Sequence, residues 1–69
     1  MENNLRNYRK AAGLTQFQLA QRCGTTYVSI NRYEAGVRVP KIIVARKIAQ
    51  ALNCQVEDIW PVDNKANQE

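Results

Sequence analysis

The sequence contains no histidine, and its 69 residues include only two cysteines and two prolines. Without histidine there is no zinc-finger ligand pattern, and Cys23 and Cys54 are too far apart to form a CxxC pair. Both cysteines fall on or just after an apolar helical stripe, so we predict two small buried thiols, reduced as in a cytosolic protein. A disulfide between them is the alternative. We expect no metal and no cofactor.

Long apolar runs are also missing. The longest one, residues 42–45, has four residues, so we expect no segment that crosses a membrane. The first ten residues lack the apolar core of a signal peptide. Together with the reduced thiols, these absences predict a cytoplasmic protein.

Residue patterns that carry catalysis are absent as well. The sequence has no phosphate-binding glycine loop and no pair of carboxylates predicted to face inward. Glu57 and Asp58 are adjacent, but they fall on a predicted surface helix. We therefore expect that this chain is not an enzyme.

Basic side chains dominate most of the chain. Residues 3–50 hold nine Lys and Arg against one acid, Glu34, a net charge of +8, whereas residues 51–69 carry a net charge of −3. A basic body with an acidic tail favours a polyanionic partner that binds the body. The alternative is a solvated surface that only keeps the protein soluble.

Two short helical patterns with a glycine between them form the centre of the predicted fold. Thr15 and Gln18 make a capping box at the start of the first of these, helix two, which ends at Gly24. Thr26 is the predicted cap of the second of these, helix three, with Thr25 as the alternative in register, and Gly36 ends the helix. The side chains predicted to hold this pair to the core are Leu19, Ala20, Cys23, Ile30 and Tyr33.

Three further helices frame this pair. Asn3 or Asn4 is the predicted cap of helix one, which stops at Gly13. Helix four begins near Pro40, and a short helix five covers roughly Val56–Trp60. Their predicted core positions are Leu5, Tyr8 and Ala12 in the first helix and Ile42, Ala45, Ile48, Ala49 and Leu52 in the fourth. No segment alternates with period two, so we predict no strand. We expect one domain in residues 1–62 and a flexible polar tail in residues 63–69.

An ordered series of short motifs runs from Leu5 to Trp60. Its elements are Tyr8-Arg9, Gly13-Leu14, Thr15-Gln16, Leu19-Ala20, Gly24, Ile30, Glu34, Gly36, Pro40, Lys47-Ile48-Ala49, Ala51-Leu52 and Ile59-Trp60. In this order and spacing the series resembles the small helix-turn-helix regulators of the XRE family, typified by phage Cro and repressor DNA-binding domains. The resemblance implies an all-α, compact five-helix, lambda-repressor-like domain, encoded by a bacterium or a phage. Lys41 and Gln55 stand where a serine-like cap is common, so the N-termini of helices four and five are predicted to be less stable.

The resemblance implies that helix three enters the major groove of DNA. On a helical wheel its outward face carries the four residues predicted to read bases: Tyr27, Val28, Asn31 and Arg32. Arg32 can donate two hydrogen bonds to guanine O6 and N7, and Val28 can pack on a thymine methyl group. Tyr27 and Asn31 can reach a base or a phosphate. The alternative is an ordinary solvated face, but such a face rarely keeps two apolar side chains in water.

Six side chains are predicted to contact the DNA backbone: Arg9, Thr15, Gln16, Thr26, Arg38 and Lys41. Gln16 opens helix two, whose N-terminus suits a phosphate. In similar proteins this glutamine also touches the first residue of the recognition helix, here Tyr27. The two threonines can instead serve only as helix caps.

Glu34 is the only acid of residues 3–50. The resemblance pairs it with Arg9 of helix one, and this structural ion pair would hold the recognition helix at its angle. The alternative is a loose surface pair worth about 0–1 kcal/mol. Phe17 and Ile43 point away from the predicted core stripes, and each either marks a protein contact or is a lone exposed apolar residue.

These observations predict a sequence-specific DNA-binding transcriptional regulator, a repressor that occupies its operator through the major groove. The expected partners are double-stranded DNA and a second copy of the chain, because similar domains bind pseudo-palindromic sites as dimers. The dimer surface is predicted in residues 53–62, as in relatives. The alternative is a protein-interaction module, such as an antitoxin, that binds its partner through the acidic tail.

Overall fold

The computed structural model describes residues 2–61, which form five α-helices and no β-strand. The helices are α1 (Leu5–Ala11), α2 (Gln16–Cys23), α3 (Tyr27–Ala35), α4 (Ile42–Ala51) and α5 (Val56–Ile59). The predicted all-α fold with five helices is confirmed, although α5 ends one residue earlier than expected. The predicted tail, residues 63–69, lies outside the described residues. No described helix is long and apolar enough to cross a membrane.

The central helix pair begins and ends where the sequence predicts. The Gln18 backbone N–H donates to Thr15 Oγ1 at 3.0 Å, and the Thr15 N–H donates back to Gln18 Oε1 at 2.9 Å. Thr26 Oγ1 accepts the N–H of Ser29 at 3.2 Å, so it caps α3. Each such cap contributes about 1 kcal/mol to the stability of its helix. Gly24 ends α2 with φ +69°, a left-handed conformation that a residue with a Cβ adopts only at a cost.

The start of α1 is fixed to α3 and α5, and the bond to α3 runs from Asn3 Nδ2 to the Tyr33 carbonyl at 2.8 Å. Asn3 Oδ1 accepts the Leu5 N–H at 3.0 Å, while Asn4, at the N-cap position, makes no side-chain bond to the helix. Instead, the Asn4 N–H donates to the Ile59 carbonyl at 2.8 Å, and its side-chain Nδ2 donates to the Asp58 carbonyl at 3.0 Å. These two hydrogen bonds connect α1 to α5, which is too short to be stable alone.

The weaker caps expected for α4 and α5 differ in outcome. Lys41 makes no side-chain bond to the first turn of α4. At α5, the carboxylate of Asp58 accepts the N–H of Gln55 at 3.0 Å and satisfies the start of that helix. Asn53, after α4, has φ +57° and takes the left-handed position predicted for it without a glycine.

One hydrophobic core joins all five helices. α2 packs on α3 and α4, α1 packs on α3, and α4 packs on α5. The fully buried side chains are Leu5, Leu19, Ile30, Ile48 and Ile59. Trp60 is buried beside them, as predicted, and closes the core next to α5. Both cysteines are free thiols, with Cys23 buried and Cys54 half-buried. Burial raises the pKa of each thiol.

The predicted core position of Ile42 is wrong, because its side chain is 59% exposed. Ile42 is the first residue of α4 and lies at the rim of a shallow apolar groove, not beneath another helix. The groove is also lined by Val39, Pro40, Ala45, Val56 and Trp60. Ala12 is exposed as well, because α1 ends at Ala11 and the helical face that would bury it stops there. Leu14 and Arg9 were not predicted to lie in the interior, yet both are buried.

Candidate nucleic-acid interface

The exposed face of α3 carries all four residues that were predicted to read bases. Tyr27 is 55% exposed and Val28 is 43% exposed, and the polar side chains of Asn31 and Arg32 also face solvent. On the opposite face of the same helix, Ile30 is fully buried and anchors α3 to the core. The helix therefore presents two apolar and two polar side chains together on a rigid support.

The first residue of α2, Gln16, connects this face to the helix before it. Its side-chain Nε2 donates to Glu34 Oε1 at 3.0 Å, and its Oε1 lies 3.5 Å from Asn31 Nδ2, which donates to it. The hydrogen bonds of the Gln16 amide thus go to two residues of α3 in its middle and last turn. The resemblance had implied Tyr27, at the start of α3, as the residue that Gln16 touches.

A buried ion pair lies beneath this face. The Arg9 and Glu34 side chains are 10% and 6% exposed, and Arg9 Nε donates to Glu34 Oε2 at 2.5 Å. Arg9 Nη2 donates to Glu34 Oε1 at 3.3 Å, and its Nη1 donates to the Leu14 carbonyl at 2.8 Å. Arg9 therefore joins α1, the connection after it and the end of α3. A buried pair with this many hydrogen bonds is unlike the loose surface pair that was the alternative.

The other predicted backbone contacts lie at helix ends and in the connection after α3. Arg38 and Lys41 lie exposed in the connection between α3 and α4, and Thr15 and Thr26 are exposed while they cap their helices. Arg9 is the least accessible of the six predicted residues, because only 8% of it is exposed. Of the other five predicted residues, Gln16 is partly exposed and the remaining four are exposed.

Arg6 was not among the predicted site residues. This exposed residue lines a cleft of about 220 Å³ at the junction of α1, α2 and α3. The cleft is also lined by Arg9, Gln16, Asn31, Glu34 and Ala35. The available signal was spacing, since residues three apart lie on the same side of a helix, so Arg6 shares the side of Arg9. We add Arg6 to the candidate phosphate contacts.

Exposed apolar side chains lie outside the face of α3 as well. Phe17 and Ile43 are 58% and 66% exposed, as the sequence predicted, and Val37 and Val39 are exposed in the connection after α3. Among residues 2–61, no group of three or more His, Cys, Asp or Glu side chains is arranged to hold a metal ion. The chemistry of this surface is therefore that of basic, amide and apolar groups.

Comparison with known proteins gives matches along nearly the whole chain. A family model described as "Helix-turn-helix" matches residues 5–59. An uncharacterized HTH-type transcriptional regulator of Methanothermobacter thermautotrophicus is 42% identical over 64 residues, which are 91% of this chain and 93% of that protein. The cryptic phage CTXphi transcriptional repressor RstR of Vibrio cholerae is 35% identical over 72 residues, covering 100% of this chain and 62% of the repressor. The crystal structure of the restriction-modification controller protein C.AhdI from Aeromonas hydrophila has a TM-score of 0.75 at 31% identity, over 80% of this chain and 83% of that one.

Proposed function

The chain belongs to the helix-turn-helix family of transcriptional regulators, and on this basis we propose that it binds a specific double-stranded DNA sequence and represses transcription by occupying it. The exposed face of α3 carries the proposal, because it keeps Tyr27 and Val28 in water beside Asn31 and Arg32. A helix of this kind fits the major groove, where each base pair presents a distinct pattern of donors, acceptors and methyl groups.

The distribution of charge supports a polyanionic partner. Glu34 is the only acid of residues 3–50, and its side chain is buried against Arg9. The other eight basic residues of this segment are all exposed: Arg6, Lys10, Arg22, Arg32, Arg38, Lys41, Arg46 and Lys47. The surface of this segment is therefore positive without interruption by an acid, which favours attraction to phosphates over simple solubility.

Each residue of the interface has a proposed role that follows from its chemistry. Arg32 donates to a guanine, Val28 packs on a thymine methyl group, and Tyr27 contacts a base or a phosphate. Asn31 reads a base edge. The residues proposed to bind phosphates are Arg6, Thr15, Gln16, Thr26, Arg38 and Lys41. The proposed task of Arg9 is to hold α3 at its angle through Glu34.

We also propose that two copies bind together on a pseudo-palindromic operator in the cytoplasm. The half-sites would then lie about one helical turn apart, as expected for a two-fold symmetric dimer. The apolar groove at α4 and α5 supports a contact there, because Ile42 and Val39 at its rim are more than half exposed. This groove adjoins the segment after residue 53 in which the dimer surface was predicted.

The proposal is tested by selection of bound duplexes from a randomised DNA library, followed by titration of the preferred duplex with salt. We expect one preferred sequence, and an affinity that falls steeply as salt rises, because each neutralised phosphate releases counterions. The preferred duplex should bind at least about 1,000-fold more tightly than random DNA. Equal affinity for all duplexes, or no binding, would contradict the proposed function.

Substitution of Arg32 should relax the sequence preference at one base pair. Arg32→Ala removes a bidentate contact to guanine, so affinity for the preferred duplex should fall by about 1–3 kcal/mol. The measurement is a binding titration against duplexes that carry each of the four bases at every position. The matched control is Arg22→Ala, an exposed arginine at the end of α2 that lines a groove with Lys47 and Gln50. A loss in the control as large as that of Arg32→Ala, with the same change of preference, would contradict the assignment.

Substitution of Arg38 should weaken binding to all sequences alike. This exposed residue follows α3 and is proposed to meet a phosphate, which carries no sequence information. The slope of log affinity against log salt is negative, and Arg38→Ala should make it less steep by about one. Base preferences should stay unchanged. The slope is measured on the preferred duplex and on one random duplex in parallel. A change in base preference would identify Arg38 instead as a base contact.

A further inference from the structure

The Gln16 side chain lies between two residues of α3 with different chemistry. Its Nε2 donates to the carboxylate of Glu34, and its Oε1 accepts from the amide of Asn31. Gln16 is the first residue of α2, so these bonds join the two helices at the edge of the exposed face. We name this series of side chains, Glu34–Gln16–Asn31, the amide relay.

Glu34 determines the direction of every bond in the amide relay. The carboxylate of Glu34, which accepts hydrogen bonds from Arg9 at both oxygens, has no donor to offer, so Gln16 must turn its NH₂ group toward Glu34. The carbonyl oxygen of Gln16 then faces Asn31. Asn31 in turn must offer its own NH₂ group, because the reverse orientation would set two carbonyl oxygens against each other. The orientation of both amides therefore follows from the charge of one buried residue.

The origin of the amide relay is held firmly in place. Arg9 donates to both carboxylate oxygens of Glu34, and the Glu34 side chain is 6% exposed. Because both oxygens of this carboxylate are held by Arg9, the oxygen that accepts from Gln16 stays in place. The bond from Asn31 to Gln16 is long, at 3.5 Å, and therefore weak. What orients Asn31 is that the opposite orientation would set its carbonyl oxygen against that of Gln16.

We propose that Glu34 sets the base preference of Asn31 through Gln16, although Glu34 itself is buried. The proposal rests on the proposed function, in which Asn31 reads a base. With one Nδ2 hydrogen bonded to Gln16, Asn31 keeps its Oδ1 and its second Nδ2 hydrogen for DNA. One acceptor beside one donor matches the N6 amino group and N7 of adenine. Glu34 is thus a positioning residue for sequence readout, and Asn31 selects adenine.

The test is the substitution Glu34→Gln in the randomised duplex selection. The new amide keeps its oxygen toward Arg9 Nε, the shorter of the two Arg9 bonds, and turns its NH₂ group toward Gln16, at the loss of the 3.3 Å bond from Arg9 Nη2. Gln16 then reverses and offers its own NH₂ group to Asn31, which reverses in turn and presents an NH₂ group to the groove. At the base pair that Asn31 reads, the adenine preference of about 5- to 150-fold should be lost. It should be replaced by a preference for guanine, whose O6 and N7 are both acceptors.

Two comparisons distinguish the amide relay from a general change in the angle of α3. The base pair that Asn31 reads is identified as the one whose preference disappears in Asn31→Ala. In that background, Glu34→Gln should change no base preference. Preferences that change alike at several base pairs, or a Glu34→Gln protein that still selects adenine, would overturn the proposal.

A second variant avoids the buried ion pair, which Glu34→Gln weakens. Gln16→Ala removes the middle of the amide relay at a partly exposed position. It should reduce the adenine preference at the same base pair at least about 5-fold, in addition to any uniform loss from a phosphate contact. Full retention of that preference would overturn the proposal. A wild-type protein that selects no sequence would instead refute the proposed function itself.

Discussion

Glu34→Ala should lower the free energy of unfolding by about 3–5 kcal/mol, because it leaves the Arg9 guanidinium buried without a counter-charge. The side chains of this pair are 10% and 6% exposed, so the Arg9 guanidinium would lose its charged partner at a site with little access to solvent. Gln16 would lose its partner in the same step. A domain of this size has a total stability of only about 3–10 kcal/mol, so the variant should lose a large fraction of its stability.

This loss is measured by urea unfolding followed by far-UV circular dichroism. The matched control is Glu57→Ala, which removes an exposed carboxylate from the first turn of α5 and should cost less than about 1 kcal/mol. The double variant Arg9→Met, Glu34→Met removes both charges and should be more stable than Glu34→Ala, because no unpaired charge stays buried. A loss below about 1 kcal/mol for Glu34→Ala would mean that the pair acts like one on the surface.

Ile30→Ala should destabilise the protein by about 2–5 kcal/mol. Ile30 is fully buried and is the side chain that anchors the recognition helix to the core. Truncation removes its apolar contacts and leaves a cavity beneath the face proposed to read DNA. The apparent affinity for the preferred duplex should fall with the folded fraction. Excess DNA should raise the folded fraction again, because it binds only the folded state.

The matched control for this substitution is Ile43→Ala. Ile43 has the same chemistry but is 66% exposed on α4, so its truncation should change the free energy of unfolding by less than about 0.5 kcal/mol. Both variants are compared by urea unfolding under identical conditions. Similar losses in the two variants would contradict the packing described for α3. A large loss in Ile43→Ala that depends on protein concentration would identify Ile43 as part of a dimer contact.

Local signals explain why much of the fold was predictable from the sequence. A capping box, as at Thr15 and Gln18, or a left-handed glycine, as at Gly24, depends on residues a few positions apart. The position of Ile42 was not predictable in this way. Helical spacing tells which face of α4 turns inward, but it does not tell where the neighbouring helices end. A residue in the first turn can therefore continue the stripe and still lie in solvent.

The candidate site was predictable in its residues more than in its connections. The outward face of α3 followed from periodicity, because Ile30 and Tyr33 had to turn inward. The partners of Gln16 depend on the angle and offset between α2 and α3, which are set by packing along the whole interface. Arg6 was overlooked for a similar reason, since its place in the cleft depends on how α1 crosses the other two helices.

The tie between Asn4 and α5 has a consequence for the way in which the protein opens. The two hydrogen bonds from Asn4 to the carbonyls of Asp58 and Ile59 place the ends of the described chain in one cooperative unit. Local unfolding of α5 would release the first turn of α1, while the amides of α2 and α3 remain protected from exchange with solvent. The segment proposed for dimer contact and α1, which carries Arg9, would therefore fray together. Arg9 holds α3 through Glu34, so pairing of two copies would also slow the fluctuations that loosen the recognition helix.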